Sequence, residues 1–291
     1  GLSHAAYAAR AGLRGLTLMS ADSPDERIYP LFAFGTKIIK FESTIDSIIS
    51  ALERAAPDLG IYVNSTTRLS NPFQAEASKT IAFEIVEELG DAPDWVVVPV
   101  GGGGTVGALW KGFCELQQLG CITRTPRLAG VVPRNFNLLE LAFQRDIRTT
   151  SSYQALTATP SGSTVLTKLA HAHPPDGLEA VSAIRASGGT ILSVSDQQAI
   201  DGQMLLARND GIYAEPSSGT VVAAIDALLR SEVISQNHLL VGVICGSGYR
   251  ETFTLMKERP MRSEVIALTE IDRVLEQAVA SYNELNPAAD N

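Results

Sequence analysis

Residues 96–107 read Val-Val-Val-Pro-Val-Gly-Gly-Gly-Gly-Thr-Val-Gly, an apolar strand, four consecutive glycines and the start of a helix. This order constrains the fold more than any other segment. An apolar run without alternation suits a strand buried on both faces, as in a parallel sheet covered by helices. Glycine has no Cβ, so successive backbone N–H groups at Gly101, Gly102, Gly103 and Gly104 can close on an anion. The helix expected from Thr105 adds unpaired N–H groups and the positive end of its dipole. A flexible turn would not need four glycines, each with its entropic cost, so the segment is read as a phosphate cradle.

Known glycine motifs narrow the ligand. No Gly-Lys-Ser/Thr ending follows, which argues against a P-loop. Gly102-x-Gly104-x-x-Gly107 satisfies the dinucleotide spacing, but Ile122 to Arg127 supply no acidic residue where a ribose would need one. A nucleotide-binding regulatory domain rests on those letters alone. One small phosphate group, such as that of a cofactor, suits the segment better.

The chain has 291 residues, 45% hydrophobic and 19% charged, enough for a large core in one or two domains. With a net charge of −9 and scattered basic residues, neither nucleic acid nor an anionic membrane is an expected partner. Cys114, Cys121 and Cys245 lack metal-ligand spacing and read as reduced thiols of a cytoplasmic protein. No apolar run reaches the length of a membrane span.

The spacing predicts strands at Leu16–Met19, Lys37–Phe41, Ile61–Val63, Leu128–Val132, Gly189–Val194, Ile212–Glu215 and Leu239–Ile244. Between them lie helices at Gly1–Gly12, Pro24–Phe34, Ser43–Ala56, a long one from Pro72 to Leu89, Leu138–Ala142, Asp196–Asp210 and Thr220–Arg230. Ser263–Tyr282 is the expected terminal helix, and Tyr153–Pro175 reads as irregular. This is the rhythm of an α/β protein with a parallel sheet. The polar stretch Asn64–Asn71 divides a small domain, 1–63, from a large one, 64–291.

Several strings then carry a resemblance. Val98-Pro99-Val100-Gly101-Gly102-Gly103-Gly104, Gly211-Ile212-Tyr213-Ala214-Glu215-Pro216-Ser217-Ser218 and Val243-Ile244-Cys245-Gly246-Ser247-Gly248, in this order, resemble the fold type II pyridoxal-phosphate enzymes. Ala5-Ala6-Tyr7-Ala8-Ala9-Arg10-Ala11-Gly12-Leu13, Asn71-Pro72-Phe73, Lys79-Thr80-Ile81-Ala82-Phe83-Glu84 and Ser187-Gly188-Gly189 add to it. Within that superfamily the chain looks like the threonine synthase and serine/threonine dehydratase group. The resemblance implies a fold like that of the tryptophan synthase β subunit: two three-layer α/β domains with pyridoxal 5'-phosphate in the cleft, and a homodimer as the assembly. It also implies a lyase of amino-acid metabolism, converting O-phosphohomoserine to threonine and phosphate. The alternatives are a serine/threonine ammonia-lyase and a non-catalytic cofactor-binding module.

Placed on this sequence, the resemblance assigns the cofactor phosphate to Gly101–Gly104 and Thr105. It sets Cys245, or Ser247, beside the pyridine nitrogen. A neutral partner there, in place of a carboxylate, moderates the ring as an electron sink. Asn64 and Ser65 match substrate contacts. Gln74 stands where threonine synthases carry an arginine for the substrate phosphate, and the amide loses that charge-assisted contact. Arg68 could supply the charge from the neighbouring loop, or be a solvated loop arginine. The Schiff-base lysine of such enzymes, and the Ser-Gly-Asn-type loop after it, have no counterpart here. None of Lys37, Lys40, Lys79, Lys111, Lys168 and Lys257 has that context, so no catalytic lysine is assigned and the chain is expected to be N-terminally incomplete. His171 and His173 read as loop or substrate-proximal polar groups, since a third metal ligand is not evident; no metal is expected. Glu215 reads as a loop anchor or a cation ligand.

Overall fold

The computed structural model describes residues 1–21, 23, 25–65, 67–68, 70–158, 160–260 and 267–285, without the side chains of 74, 75, 272, 279 and 281–285. Residues 1–255 form one compact unit and 256–291 a second. The first unit opens with α1 (Leu2–Arg10), β1 (Leu16–Ser20), α2 (Asp25–Ala33), β2 (Lys37–Phe41) and α3 (Ile45–Ala55). It continues through α4 (Pro72–Ser78), α5 (Thr80–Leu89), β3 (Trp95–Pro99), α6 (Gly104–Gln118), β4 (Arg127–Pro133), α7 (Leu138–Gln144) and α8 (Thr150–Ala155). Then follow α9 (Gly177–Ala186), β5 (Thr190–Val194), α10 (Asp196–Asp210), α11 (Pro216–Arg230), β6 (Leu240–Gly242) and α12 (Thr252–Glu258), which runs into the second unit. That unit contains α13 (Ile271–Leu285). Of the expected helix over 263–282, residues 263–266 lie outside the described residues, as does Pro24.

Two parallel sheets result. β1 pairs with β2 alone, and the other sheet has the order β5-β4-β3-β6. All five residues of β3 are buried, as its unbroken apolar run requires. Alternate residues face opposite layers. Val96, Val98, Leu128, Val132 and Ile191 pack with α5, α6, α7 and α9, and Trp95, Val97, Ala129, Val131 and Val194 pack with α11. A Cβ on Gly130 would lie 2.7 Å from Cδ1 of Ile184, which fills that space from α9.

Several expectations need correction. Ile212–Glu215 forms no strand, Ala214 making an isolated bridge to Ser247, and residues 153–155 of the expected irregular segment end α8. Ile61–Val63 forms no strand: Gly60 turns the chain with φ 63°, the Ile61 N–H returns to the Ala56 carbonyl (3.0 Å), and the Tyr62 hydroxyl donates to Asn71 Oδ1 (3.1 Å). The long helix 72–89 is broken at Lys79, whose carbonyl oxygen would lie 2.6 Å from a Cβ on Gly112; α5 approaches α6 at that glycine. α9 falls where no element was expected, after the Pro174-Pro175-Asp176 string that reads as loop.

α10 and α11 cross in direct backbone contact. A Cβ on Gly219 would overlap the Ala199 carbonyl, and one on Gly202 would overlap the Gly219 carbonyl. No side chain has to rearrange for a clash here; the backbones themselves must part. Gly219→Ala is therefore expected to destabilise the chain by about 1–3 kcal/mol, the usual cost of overpacking, read from the midpoint of urea unfolding.

Candidate active site

The order β5-β4-β3-β6 makes the site. From β3 the chain moves outward to β4 and then β5, and it returns on the other face to lay β6 against the free side of β3. In such sheets the crevice at the carboxyl ends of the two strands flanking this reversal is open to a ligand. Here those strands are β3 and β6, joined in parallel from Trp95–Leu240 to Val97–Gly242, with Val243 N–H donating on to Val97 O (2.9 Å). Adjacent strands lie about 4.8 Å apart, so Gly101–Gly104 and Cys245–Ser247 leave the sheet side by side.

Gly103 is the N-cap of α6, with φ 101°, and no side chain caps the helix. Its first-turn N–H groups, Gly104 and Thr105 among them, have no intrahelical acceptor. Gly101, Gly102 and Gly104 are partly exposed, Thr105 is exposed and Gly103 is buried. Residues 168–176 lie against the loop: a Cβ on Gly101 would stand 2.7 Å from the Lys168 carbonyl oxygen, and one on Gly103 2.6 Å from that of Asp176. The Asp176 N–H donates to Gly102 O (2.9 Å). Two of the four glycines are thus required by protein packing alone. The uncapped amides at the exposed end of the loop fit a single phosphate group.

Across the crevice, residues 213–215 pair with 246–248: Glu215 N–H donates to Gly246 O (3.1 Å) and Gly248 N–H to Tyr213 O (3.0 Å). Cys245 is exposed; its N–H donates to Ser218 Oγ (3.0 Å), and the Ser218 hydroxyl donates to its carbonyl. Desolvation raises the Cys245 thiol pKa despite opposing contributions from Ser218 and the Lys168 charge. Ser247 forms an isolated bridge with Ala214. Beneath Gly246 lies the Glu215 carboxylate, buried, which accepts from the Ser217 hydroxyl and pairs with Lys168 Nζ. Lys168 also reaches Glu251 (2.7 Å), itself paired with Arg27 of α2, whose guanidinium donates to Thr167 Oγ1 (2.9 Å). Desolvation holds the Lys168 pKa below its ordinary value, against the raising effect of Glu251.

Of the remaining sequence-assigned residues, Asn64, Ser65 and Arg68 lie together between α3 and α4. Asn64 Oδ1 accepts from Asn71 Nδ2 (2.7 Å), and its amide meets His4 Nδ1 (2.7 Å). Ser65 Oγ accepts from Thr67 N–H (3.1 Å), and Thr67 and Ser70 both reach Glu53 of α3. Arg68 N–H donates to both carboxylate oxygens of Asp176 (3.1 Å each), and its guanidinium pairs with Glu179 of α9. Glu179 in turn packs on Gly107, 3.1 Å from where a Cβ would be, so Arg68 stands beside the first turns of α6. Burial raises the Asp176 pKa above the ordinary carboxylate value, although the Arg68 N–H and charge pull it down. Gln74 lies on α4, but its side chain is outside the described residues. A cavity of about 580 Å3, lined by Asp46, Glu53, Arg54, Thr67, His173 and Asp176 among others, opens on this side. His173 Nε2 meets Tyr153 O (3.3 Å), and its ring packs edge-on against Tyr153. His171 Nδ1 meets Asp46 Oδ1 (2.6 Å).

Residues 1–246 match the family described as pyridoxal-phosphate-dependent enzymes. The chain belongs to that family. Its cofactor is pyridoxal phosphate, and the glycine loop is a cradle of the right chemistry for the phosphate. Similar curated proteins include the threonine synthase of Methanocaldococcus jannaschii, 30% identical over 266 residues, 90% of this chain and 64% of that protein. The threonine synthase of Mycobacterium tuberculosis strain H37Rv is also 30% identical over 266 residues, 90% of this chain and 69% of that protein. The chain thus spans less than two thirds of the length of the first of these relatives.

Among solved structures, an L-serine ammonia-lyase from Rhizomucor miehei superposes with a TM-score of 0.71 at 17% identity, covering 88% of this chain and 78% of that one. Maize serine racemase gives 0.64 at 15% identity, covering 97% and 75%. These likenesses show the fold, which is that of the fold type II pyridoxal-phosphate enzymes.

What sequence reasoning missed in this family member is the ionic cluster. Glu215, open between a loop anchor and a cation ligand in the sequence, pairs with the ammonium of Lys168, 47 residues away in sequence. The available signal was the position of Lys168 at the head of the Lys168–Pro174 string, already singled out for its histidines. Removing the ammonium strands Glu215, which is 4% exposed, without a countercharge. Lys168→Met should cost about 3 kcal/mol in urea unfolding, the lower end for a broken buried pair because the lysine is partly exposed. Adding Glu215→Gln should recover much of that loss; an additive double variant would contradict the pairing.

Proposed function

We propose that the chain carries out elimination and replacement on an amino acid in the manner of a threonine synthase, a carbon–oxygen lyase reaction yielding threonine and phosphate from O-phosphohomoserine. The observation that carries this is Arg68, placed beside the first turns of α6 by its pairing with Glu179 on Gly107; the 30% identity to threonine synthases supports it. Pyridoxal phosphate, when bound, supplies an electron sink for the pair left by removal of an α-proton. In this reading Gly101, Gly102, Gly103, Gly104 and Thr105 hold the cofactor phosphate through backbone N–H groups. Cys245, or Ser247, beyond the end of the neighbouring strand, is the neutral partner of the pyridine nitrogen.

Asn64, Ser65, Arg68 and Gln74 form the substrate side. Arg68 is the group able to take over the charge that the Gln74 amide lacks. Its present partner is Glu179, so a substrate phosphate must exchange with that carboxylate. Both side chains are 37–40% exposed, which makes the exchange inexpensive. Lys168 is not the lysine that binds the cofactor, because two carboxylates already hold its ammonium. We divide the molecule after residue 63, so that each domain owns one sheet, and expect a homodimer in a reducing, cytoplasmic setting in keeping with three unpaired cysteines.

The protein purified from its native source, with pyridoxal phosphate, should release inorganic phosphate and threonine from O-phosphohomoserine, and Arg68→Ala should raise KM for that substrate at least tenfold. A 2-oxo acid and ammonia from L-threonine, with no phosphate release, would assign a serine/threonine ammonia-lyase instead. Cofactor binding with neither reaction would leave a non-catalytic module.

A further inference from the structure

His171 differs from the other polar residues around the glycine loop in what it has left to offer. Its Nδ1 meets Asp46 Oδ1 at 2.6 Å, and a carboxylate accepts there, so the Asp46 contact fixes a proton on Nδ1 and fixes the plane of the ring. Asp46 is itself set in the first turn of α3, behind the Thr44 cap that accepts from Ser47 N–H. The opposite edge of the imidazole faces the glycines. Cδ2 lies 3.3 Å from the place a Cβ would take on Gly101, and Cε1 3.9 Å from that on Gly102. These are the two carbons that flank Nε2. No described residue is paired with Nε2, whereas His173, two residues on, uses its Nε2 on the Tyr153 carbonyl. The His171 side chain is only 12% exposed, so a charge-assisted bond made there would be weakly screened.

We propose that His171, oriented by Asp46, is a phosphate-binding residue: it presents Nε2 to the phosphate that the Gly101–Thr105 amides cradle. This rests on the reading of that loop as the phosphate site. In this role one ring N–H serves Asp46 and the other the anion. The cradle is then built from both sides: helix and loop N–H groups from the sheet, and one imidazole carried by the 168–176 segment. Asp46 acts through His171 as a positioning residue.

The test compares two probes on the full chain, pyridoxal 5'-phosphate and pyridoxal, which lacks the phosphate, by equilibrium dialysis. Wild-type protein should bind the phosphorylated probe more tightly. His171→Asn keeps an N–H for Asp46 and removes Nε2; it should weaken binding of pyridoxal phosphate roughly tenfold or more, the scale of one hydrogen bond to a charged group, and leave pyridoxal unchanged. His171→Gln, which returns an N–H towards the loop, should recover part of the loss. Asp46→Asn should weaken the phosphorylated probe alone, by less, and carries the test if the His171 variants do not fold. Equal weakening of both probes, or of neither, would overturn the assignment while leaving the cradle intact. A wild-type protein that does not distinguish the two probes would overturn the cradle, and the assignment with it.

Discussion

The pairing of β3 with β6 is the interaction on which the rest of the site depends. Without it the sheet would be β5-β4-β3, and the glycine loop would end at an open sheet edge with nothing opposite. Adding β6 on the free side of β3 brings Cys245, Gly246 and Ser247 alongside Gly101–Gly104. The return path runs through α10 and α11, which meet at Gly202 and Gly219, and α11 lies on β3, β4 and β5.

Electrostatics arranges the walls. Arg27, Glu251, Lys168 and Glu215 form a chain of alternating charge from α2 to the start of α11. Each carboxylate is almost fully buried and each has at least one cation, which is the condition under which buried charge is tolerated. A second chain, Arg68 with Asp176 and Glu179, ties the 64–71 segment to the residues covering the glycine loop. The two clusters hold the 168–176 segment at its beginning and its end. His171 sits midway between them, with its free edge towards Gly101 and Gly102.

Much of this was legible from residues alone, and the limits are physical. The apolar run of β3 and the string Leu128–Val132 report burial on both faces, so the parallel sheet could be read without a partner being known. The glycine loop and the start of α6 behind it were legible in the run itself. The loop's demand for glycine at Gly101 and Gly103, however, comes from carbonyls of Lys168 and Asp176, whose approach no local pattern encodes. Ile61–Val63 has strand composition but no neighbour to pair with, since side-chain bonds from Tyr62 and a turn at Gly60 take its backbone elsewhere. α9 was hidden by the prolines before it. The ionic cluster joins residues 27, 168, 215 and 251, a convergence that only the tertiary fold creates.

A crystal structure of the protein with pyridoxal phosphate bound tests the central claim most directly. The account predicts the phosphate on the N–H groups of Gly101–Thr105, His171 Nε2 within hydrogen-bond distance of it, and the pyridine nitrogen on the side of Cys245 and Ser247. A phosphate bound away from the N-terminus of α6, with the glycine loop still packed only against residues 168–176, would contradict it.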